Sequence, residues 1–170
     1  MQYDGHSELL KVAPRRLDDA LELLEPPSRE PQRSDAHGRH LTAAYYLAGY
    51  AVECVLKVYV ILLLDSRRPR DRVERWSQVV EMAPGLAPSV NLAGKHSHNL
   101  HKLLALSQLE PYLDTDGNMK AQWGICAKWD YNVRYGQSLD GLERDAVSDF
   151  VAACGAVYRW VRARLPFRLP

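Results

Sequence analysis

One apolar run constrains this chain more than any other feature: LTAAYYLAGYAVECVLKVYVILLL, from Leu41 to Leu64. Its length would suit a bilayer, but Glu53 and Lys57 divide it. The uncharged pieces that remain are too short to cross a hydrocarbon core of about 30 Å. A helix that is apolar on nearly every side has to be covered by other helices. The segment, taken from about Asp35 to Leu64, therefore reads as the centre of a soluble helical bundle with no membrane partner.

The flanking sequence supplies the cover. Leu9, Leu10, Ala13, Leu17, Ala20, Leu21 and Leu24 recur at helical spacing and predict a helix over Ser7–Glu25, with Ser7 as N-cap and Pro14 as a kink or restart. Residues 26–35, PPSREPQRSD, form a Pro-rich connector that suits neither helix nor strand. Beyond the central helix, DSRRPRDRVERW sets five arginines against three acids. A short helix is expected over about Asp71–Met82, and Ala83–Lys95 is loop by composition. The segment 67–95 is longer than a compact bundle needs and reads as an insertion between bundle helices. Ser97 can cap a helix running to about Leu109, with Leu100, Leu103, Leu104 and Ala105 as its apolar face. A further helix over Asn118–Trp129 should end in WDYNVRYG. In the last helix, Asp140 and Glu143 have capping-box spacing, and Leu142, Ala146, Phe150, Cys154, Val157, Val161 and Leu165 mark one face. No stretch alternates with period two for long. The expected fold is all-α, an antiparallel bundle of four to five main helices with short extra helices, in one domain over residues 1–170.

The chain has 170 residues and a net charge of +1, so no global field draws it to nucleic acid or membrane, and any polyanion site must come from local clustering. The start, MQYDGHSELLK, lacks the basic-then-apolar run of a secretory signal, which leads to a cytoplasmic expectation. Cys54, Cys126 and Cys154 are widely spaced in apolar helical patterns and read as buried thiols in a reducing compartment. There is no CxxC pair. His96, His98 and His101 have no carboxylate or cysteine nearby in sequence, so no metal and no cofactor are assigned. DTDGN resembles a calcium loop only briefly: the required glycine falls on Met119 and the bidentate glutamate on Ile125, leaving a turn. No phosphate-binding loop, dinucleotide fingerprint, zinc-protease or serine-hydrolase motif occurs.

Two constellations remain. On the central helix, Arg39, Thr42, Tyr46, Tyr50, Glu53 and Lys57 recur every three or four residues along one stripe, with Gly49 beside it. Glu53 before Lys57 is the favourable order for an ion pair. The stripe is either an interface edge or the polar wall of a cleft, where Gly49 lets a backbone or ligand come close. In KWDYNVRYG, Arg134 stands between Tyr131 and Tyr135 and offers a planar fork of donors to a phosphate or carboxylate. If Glu53 is its partner, the pair is structural. If Lys57 and His98 also converge there, the surplus positive charge should attract a phosphate. The arginines from Arg67 to Arg75 are a further, diluted candidate for phosphate contact.

Taken in order, AYYLAGYAVECVLKVYV, HSHNLHKLL, WDYNVRYG and the long final helix resemble a HEPN domain (higher eukaryotes and prokaryotes nucleotide-binding). The resemblance rests on Glu53 to Lys57 in a Glu-x-x-Leu-Lys block, on His98, Asn99 and Leu100 opening the third helix, and on Arg134 and Tyr135 before the last. It implies a HEPN-like bundle, commonly a homodimer, with the stripe lining a cleft. Ligand-binding residues would be Tyr46, Tyr50, Glu53, Lys57, His98, Tyr131, Arg134 and Tyr135. It also implies one of two roles: binding a nucleotide or RNA phosphate, with a nucleotidyltransferase as candidate partner; or a metal-independent ribonuclease of a toxin-antitoxin or antiphage defence system. The stripe itself leaves a third open, a non-catalytic dimerisation scaffold whose seam it forms. The ribonucleases of the family carry an arginine followed, after four to six residues, by a histidine. From Arg134 that histidine would fall on Leu139, Asp140 or Gly141. The motif is absent after Arg134, and the formal match of Arg33 and His40 lies before the central helix, outside the motif's place, which favours the binding module. A ribonuclease would need Arg134 on the phosphate and His98 brought across in space as general base.

Overall fold

The structure is a computed structural model that describes residues 5–25, 34–67, 72–86, 92, 97–135 and 143–166, without the side chains of residues 34–39, 83–86, 134 and 135. These residues are all-helical. Seven α-helices follow in order: α1 (His6–Leu24), α2 (Ser34–Arg67), α3 (Trp76–Leu86), α4 (Leu100–Ser107), α5 (Glu110–Asp114), α6 (Gly117–Cys126) and α7 (Arg144–Arg162), with a 3-10 turn at Tyr131–Tyr135 before the last. No strand forms among the described residues. The nearest thing to one is an isolated antiparallel bridge between Gly5 and Arg75.

α2 is the axis of the molecule. Its 34 residues correspond to a length of about 50 Å. α1, α3, α4, α7 and the 3-10 turn all pack against it, and α6 packs on α7. Ala44, Ala48, Ala51, Val52, Cys54, Val55, Leu56, Val58 and Ile61 are wholly buried. The run is long and apolar enough to cross a membrane, yet 78% of its most apolar window is buried inside the protein. Protein takes the place that lipid would fill.

α1 runs through Pro14 without a break, where a kink or restart is expected from sequence. Leu9, Ala13, Leu17 and Ala20 are buried in the shared core along the whole helix. That packing outweighs one missing backbone hydrogen bond. Gly5, not Ser7, is the N-cap residue. α2 begins at Ser34, two residues inside the expected connector, and extends past Leu64 to Arg67. Residues 26–33 lie outside the described residues.

Other boundaries move for local reasons. α3 starts at Trp76 and continues into the segment read as loop. Gln78 marks its start, because its side-chain oxygen accepts from the backbone N–H of Glu74 and of Arg75, both at 2.9 Å. α4 is capped by Asn99 rather than Ser97, the Asn99 side chain accepting from Lys102 N–H at 3.0 Å. Asp116 in the DTDGN turn caps α6 in the same way through Met119 N–H. α7 begins at Arg144, and its N-cap Glu143 makes no side-chain capping bond. The expected cap Asp140 and the face residue Leu142 lie outside the described residues. Ala146 is exposed, and Val147 takes its place on the buried face with Phe150, Cys154, Val157 and Val161. All three cysteines are free and buried, as the sequence indicates, with the Cys126 and Cys154 sulphurs 3.5 Å apart.

Candidate functional site

The stripe on α2 meets a different partner at each turn. Beside its start, on the neighbouring face, Tyr45 stacks on Phe150 of α7, with ring centroids 4.1 Å apart. Its hydroxyl donates to the Lys128 carbonyl at 2.9 Å. Burial pushes this phenol up to about 12. One turn on, the Trp129 indole lies directly on Gly49, so closely that any Cβ there would collide with the ring at Cδ1, Cγ and Nε1. Glycine is required at this position by close approach, as its place in the stripe suggests, but the visitor is an aromatic side chain. Tyr46 flanks that indole at 6.0 Å and lies parallel to Tyr50.

The centre of the stripe is ionic. Glu53 is 1% exposed and its Oε1 accepts from Lys57 Nζ at 2.6 Å and from His98 Nδ1 at 2.9 Å. A carboxylate can only accept, so His98 Nδ1 carries the proton in this contact. The sequence left open whether Lys57 and His98 converge on Glu53; they do. Glu53 Oε2 is buried and has no hydrogen-bond partner among the described residues. Burial by itself would raise the Glu53 carboxyl, but the His98 hydrogen bond and the Lys57 charge together outweigh it. The group sits below its ordinary value of 4.5.

Aromatic rings close the cluster from both sides. The Lys57 ammonium lies 5.0 Å from the centre of the Trp76 ring, a favourable cation–π distance. The Tyr131 ring stacks on His98 at 4.8 Å with planes 20° apart. Tyr131 is positioned by the turn it opens, where Asp130 Oδ1 accepts from both the backbone and the side-chain nitrogen of Asn132. The buried Val133 pins the same turn into the protein. Arg134 and Tyr135 follow on its backbone, and their side chains lie outside the described residues.

Of the eight binding residues expected from sequence, the structure thus brings Glu53, Lys57, His98 and Tyr131 into one contact cluster, with Tyr46 and Tyr50 further along the stripe. Sequence reasoning missed Trp76 and Trp129. Nothing local signals either one, except that a glycine on a polar stripe implies a close visitor. His101 does not join His98: it meets the edge of Trp123 at 5.8 Å. No group of three His, Cys, Asp or Glu among the described residues is placed to hold a metal ion.

The clustered residues form one wall along α2. A cleft of about 600 Å³ opens elsewhere, between the start of α1 and residues 74–77, and one of about 470 Å³ opens between α1 and the N-terminal half of α2. None of the candidates lines either. The exposed element of the wall is His98, whose side chain keeps 25% of its surface, against 10% for Lys57 and 1% for Glu53. With Nδ1 held by the carboxylate, the ring's other nitrogen, Nε2, points away from Glu53. No hydrogen bond to it occurs among the described residues, and in this neutral tautomer it presents an acceptor lone pair. Comparison with protein-family models, with characterised proteins and with solved structures gives no match.

Proposed function

We propose that this chain is a HEPN-like helical module that binds a nucleotide or an RNA phosphate at the α2 stripe. It acts in the cytoplasm as a homodimer, with a nucleotidyltransferase as its candidate partner. One observation carries the reading: Lys57 and His98 converge on Glu53 beneath the turn that bears Arg134. One carboxylate faces two cationic or donor groups, and a nearby arginine would add a third. A phosphate balances such a cluster, with His98 Nε2 and Arg134 as its donors and Tyr131 and Tyr46 as aromatic flanks. Titration of the purified protein with mononucleotides tests it. His98→Ala and Arg134→Ala should each weaken binding at least about tenfold, the order expected from losing one charge-assisted hydrogen bond. Unchanged affinity in both variants would remove the stripe as the site.

A second reading rests on the His98–Glu53 bond itself. A histidine whose tautomer is fixed by a buried carboxylate is the arrangement of an oriented general base. In a metal-independent ribonuclease, Nε2 would take the proton of a 2′-hydroxyl as that oxygen attacks the adjacent phosphate. The 5′-oxygen would leave with a proton taken up from water, giving a 2′,3′-cyclic phosphate end. Incubating RNA with the protein in chelator separates the two readings. Cyclic-phosphate ends that disappear in His98→Ala and Arg134→Ala establish the enzyme. Intact RNA at high protein concentration keeps the binding module.

A further inference from the structure

The end of α6 meets α7 at two sulphurs. Cys126 is the last residue of α6, and Cys154 lies in the middle of α7, 28 positions on. Their sulphurs are 3.5 Å apart, the Cys154 S–H donating to Cys126. Both are free thiols and both are wholly buried. The third cysteine of the chain, Cys54, stands on α2. What the pair adjoins is the turn of the candidate site. The Cys126 carbonyl accepts from Trp129 N–H at 3.1 Å. The Lys128 carbonyl accepts from the Tyr45 hydroxyl, and the Tyr45 ring stacks on Phe150, one turn before Cys154 on α7. Beyond them Trp129 lies on Gly49 and Tyr131 stacks on His98. A bond between the two sulphurs therefore ties the base of this turn to α7.

The two cysteines differ in access. Cys126 stands at a helix end, with exposed Gly124 before it and exposed Lys128 after it. Helix ends open at far lower cost than helix centres, so the loss of one turn uncovers this sulphur. Cys154 is held inside a 19-residue helix. Burial, then the hydrogen bond to Cys126, raises its thiol well above the ordinary 9.0. The thiolate is the nucleophile in cysteine oxidation, so Cys154 is inert alone and reacts only with a sulphur already placed against it. Cys126 is thus the thiol that an oxidant meets first, and Cys154 is the one that resolves it.

We infer that Cys126 and Cys154 form a peroxide-sensitive dithiol whose disulfide clamps the turn bearing Trp129 and Tyr131 to α7. The Cys126 thiolate attacks one oxygen of hydrogen peroxide and the O–O bond breaks. The sulphur becomes a sulfenic acid, and the departing hydroxide takes up the thiol's proton as water. The Cys154 sulphur then attacks Cys126, the S–O bond breaks, and a second water leaves with the Cys154 proton. Two thiols and one peroxide give one disulfide and two waters. The sulphurs have to close from 3.5 Å to a bonded distance of about 2.05 Å, within reach of side-chain rotation. Burial selects the oxidant: a wholly buried pair admits a molecule the size of peroxide and excludes a protein disulfide. The inference stands independently of what occupies the stripe.

The test treats the folded chain with dilute hydrogen peroxide, quenches with catalase, unfolds it in an alkylating reagent and counts the remaining thiols. They should fall from three to one, with Cys126 and Cys154 recovered as a cross-linked peptide pair and Cys54 alkylated. The melting temperature should rise by roughly 5–15 °C, as one disulfide gives in a chain of this size. Amide exchange over residues 127–133 should slow at least about tenfold, since the clamp removes a local opening. Dithiothreitol should reverse all three changes. Cys54→Ala should react like wild type, whereas Cys154→Ala should stop at a sulfenic acid on Cys126 that dimedone traps. If that variant does not fold, the wild-type thiol count and cross-link map still decide. Three intact thiols in the folded protein, at a peroxide dose that removes thiols from the urea-unfolded chain, overturn the inference. So does a cross-link through Cys54, or overoxidation of Cys126 with no cross-link. A Cys126–Cys154 link that leaves exchange over residues 127–133 unchanged overturns the clamp.

Discussion

α2 carries two kinds of face in one helix. Over most of its circumference it is dry: Val52, Val55, Leu56, Val58 and Ile61 are wholly buried among aliphatic and aromatic side chains. Along a single stripe it carries Glu53 and Lys57, almost as deeply buried, with a carboxylate oxygen that has no hydrogen-bond partner among the described residues. The dry faces lower the free energy of folding by removing apolar area from water. The stripe does not. Desolvating two charges costs several kcal/mol each, roughly what their mutual attraction returns. A structure needing only stability would fill these positions with leucine. A buried ion pair is therefore weak evidence of stability, and the functional proposal is placed on the stripe on that ground.

The contrast can be broken most forcefully at Lys57. Lys57→Met leaves a buried carboxylate with His98 as its one remaining partner and should cost about 3–5 kcal/mol in urea unfolding. Glu53→Leu/Lys57→Met, which removes both charges, should recover most of that loss yet abolish nucleotide binding. If the double variant is as unstable as the single one, the pair serves stability and the contrast fails. On the dry side, Ile61→Ala should cost about 2–5 kcal/mol through lost burial and a cavity, with nucleotide affinity unchanged in whatever fraction stays folded. Gly49→Ala should cost about 1–3 kcal/mol, as overpacking does, because the Trp129 indole has to move. The expected sign of that displacement is a change in tryptophan emission.

Acid sharpens the same comparison. The Glu53 carboxyl is held below its ordinary 4.5 by His98 and Lys57 against the cost of burial. A carboxyl with a lowered folded value binds its proton more readily in the unfolded chain, so acid favours unfolding. Its contribution is complete above about 4.5 and is lost as pH falls through the lowered folded value. The stability gap between wild type and Glu53→Gln should therefore narrow on acidification. For Ile61→Ala the gap should stay flat over that range. The smallest effect belongs to Tyr45→Phe. It removes one partly exposed hydrogen bond to the Lys128 carbonyl and should cost about 0.5–1 kcal/mol in thermal or urea melts.

Much of the dry part of this comparison is legible in the sequence, because it is periodic. The run from Leu41 to Leu64, the buried thiols and most of the α7 face follow from apolar spacing, and the Glu53–Lys57 pair follows from a four-residue offset on one helix. What periodicity cannot supply is the identity of a neighbour far along the chain. His98 reaches Glu53 across 45 residues, Trp129 reaches Gly49, and Trp76 reaches Lys57. The segment 67–95 reads as an insertion, yet its Trp76 covers the site. Boundaries shifted where a side chain outside the expected motif satisfied the helix start, as Asn99 does for α4. No restart occurs at Pro14, because tertiary packing decides where local propensity is close to balance.

The two bonds at Glu53 also differ in when they can form. Lys57 lies one turn away, so its bond appears as soon as α2 is helical and closes no loop. His98 can arrive only after the intervening chain has been gathered and α4 has docked, a step with its own entropic cost. The carboxylate is thus held once by its own helix and once across the chain, and its burial depends on the docking of α4 as well as on α2 itself.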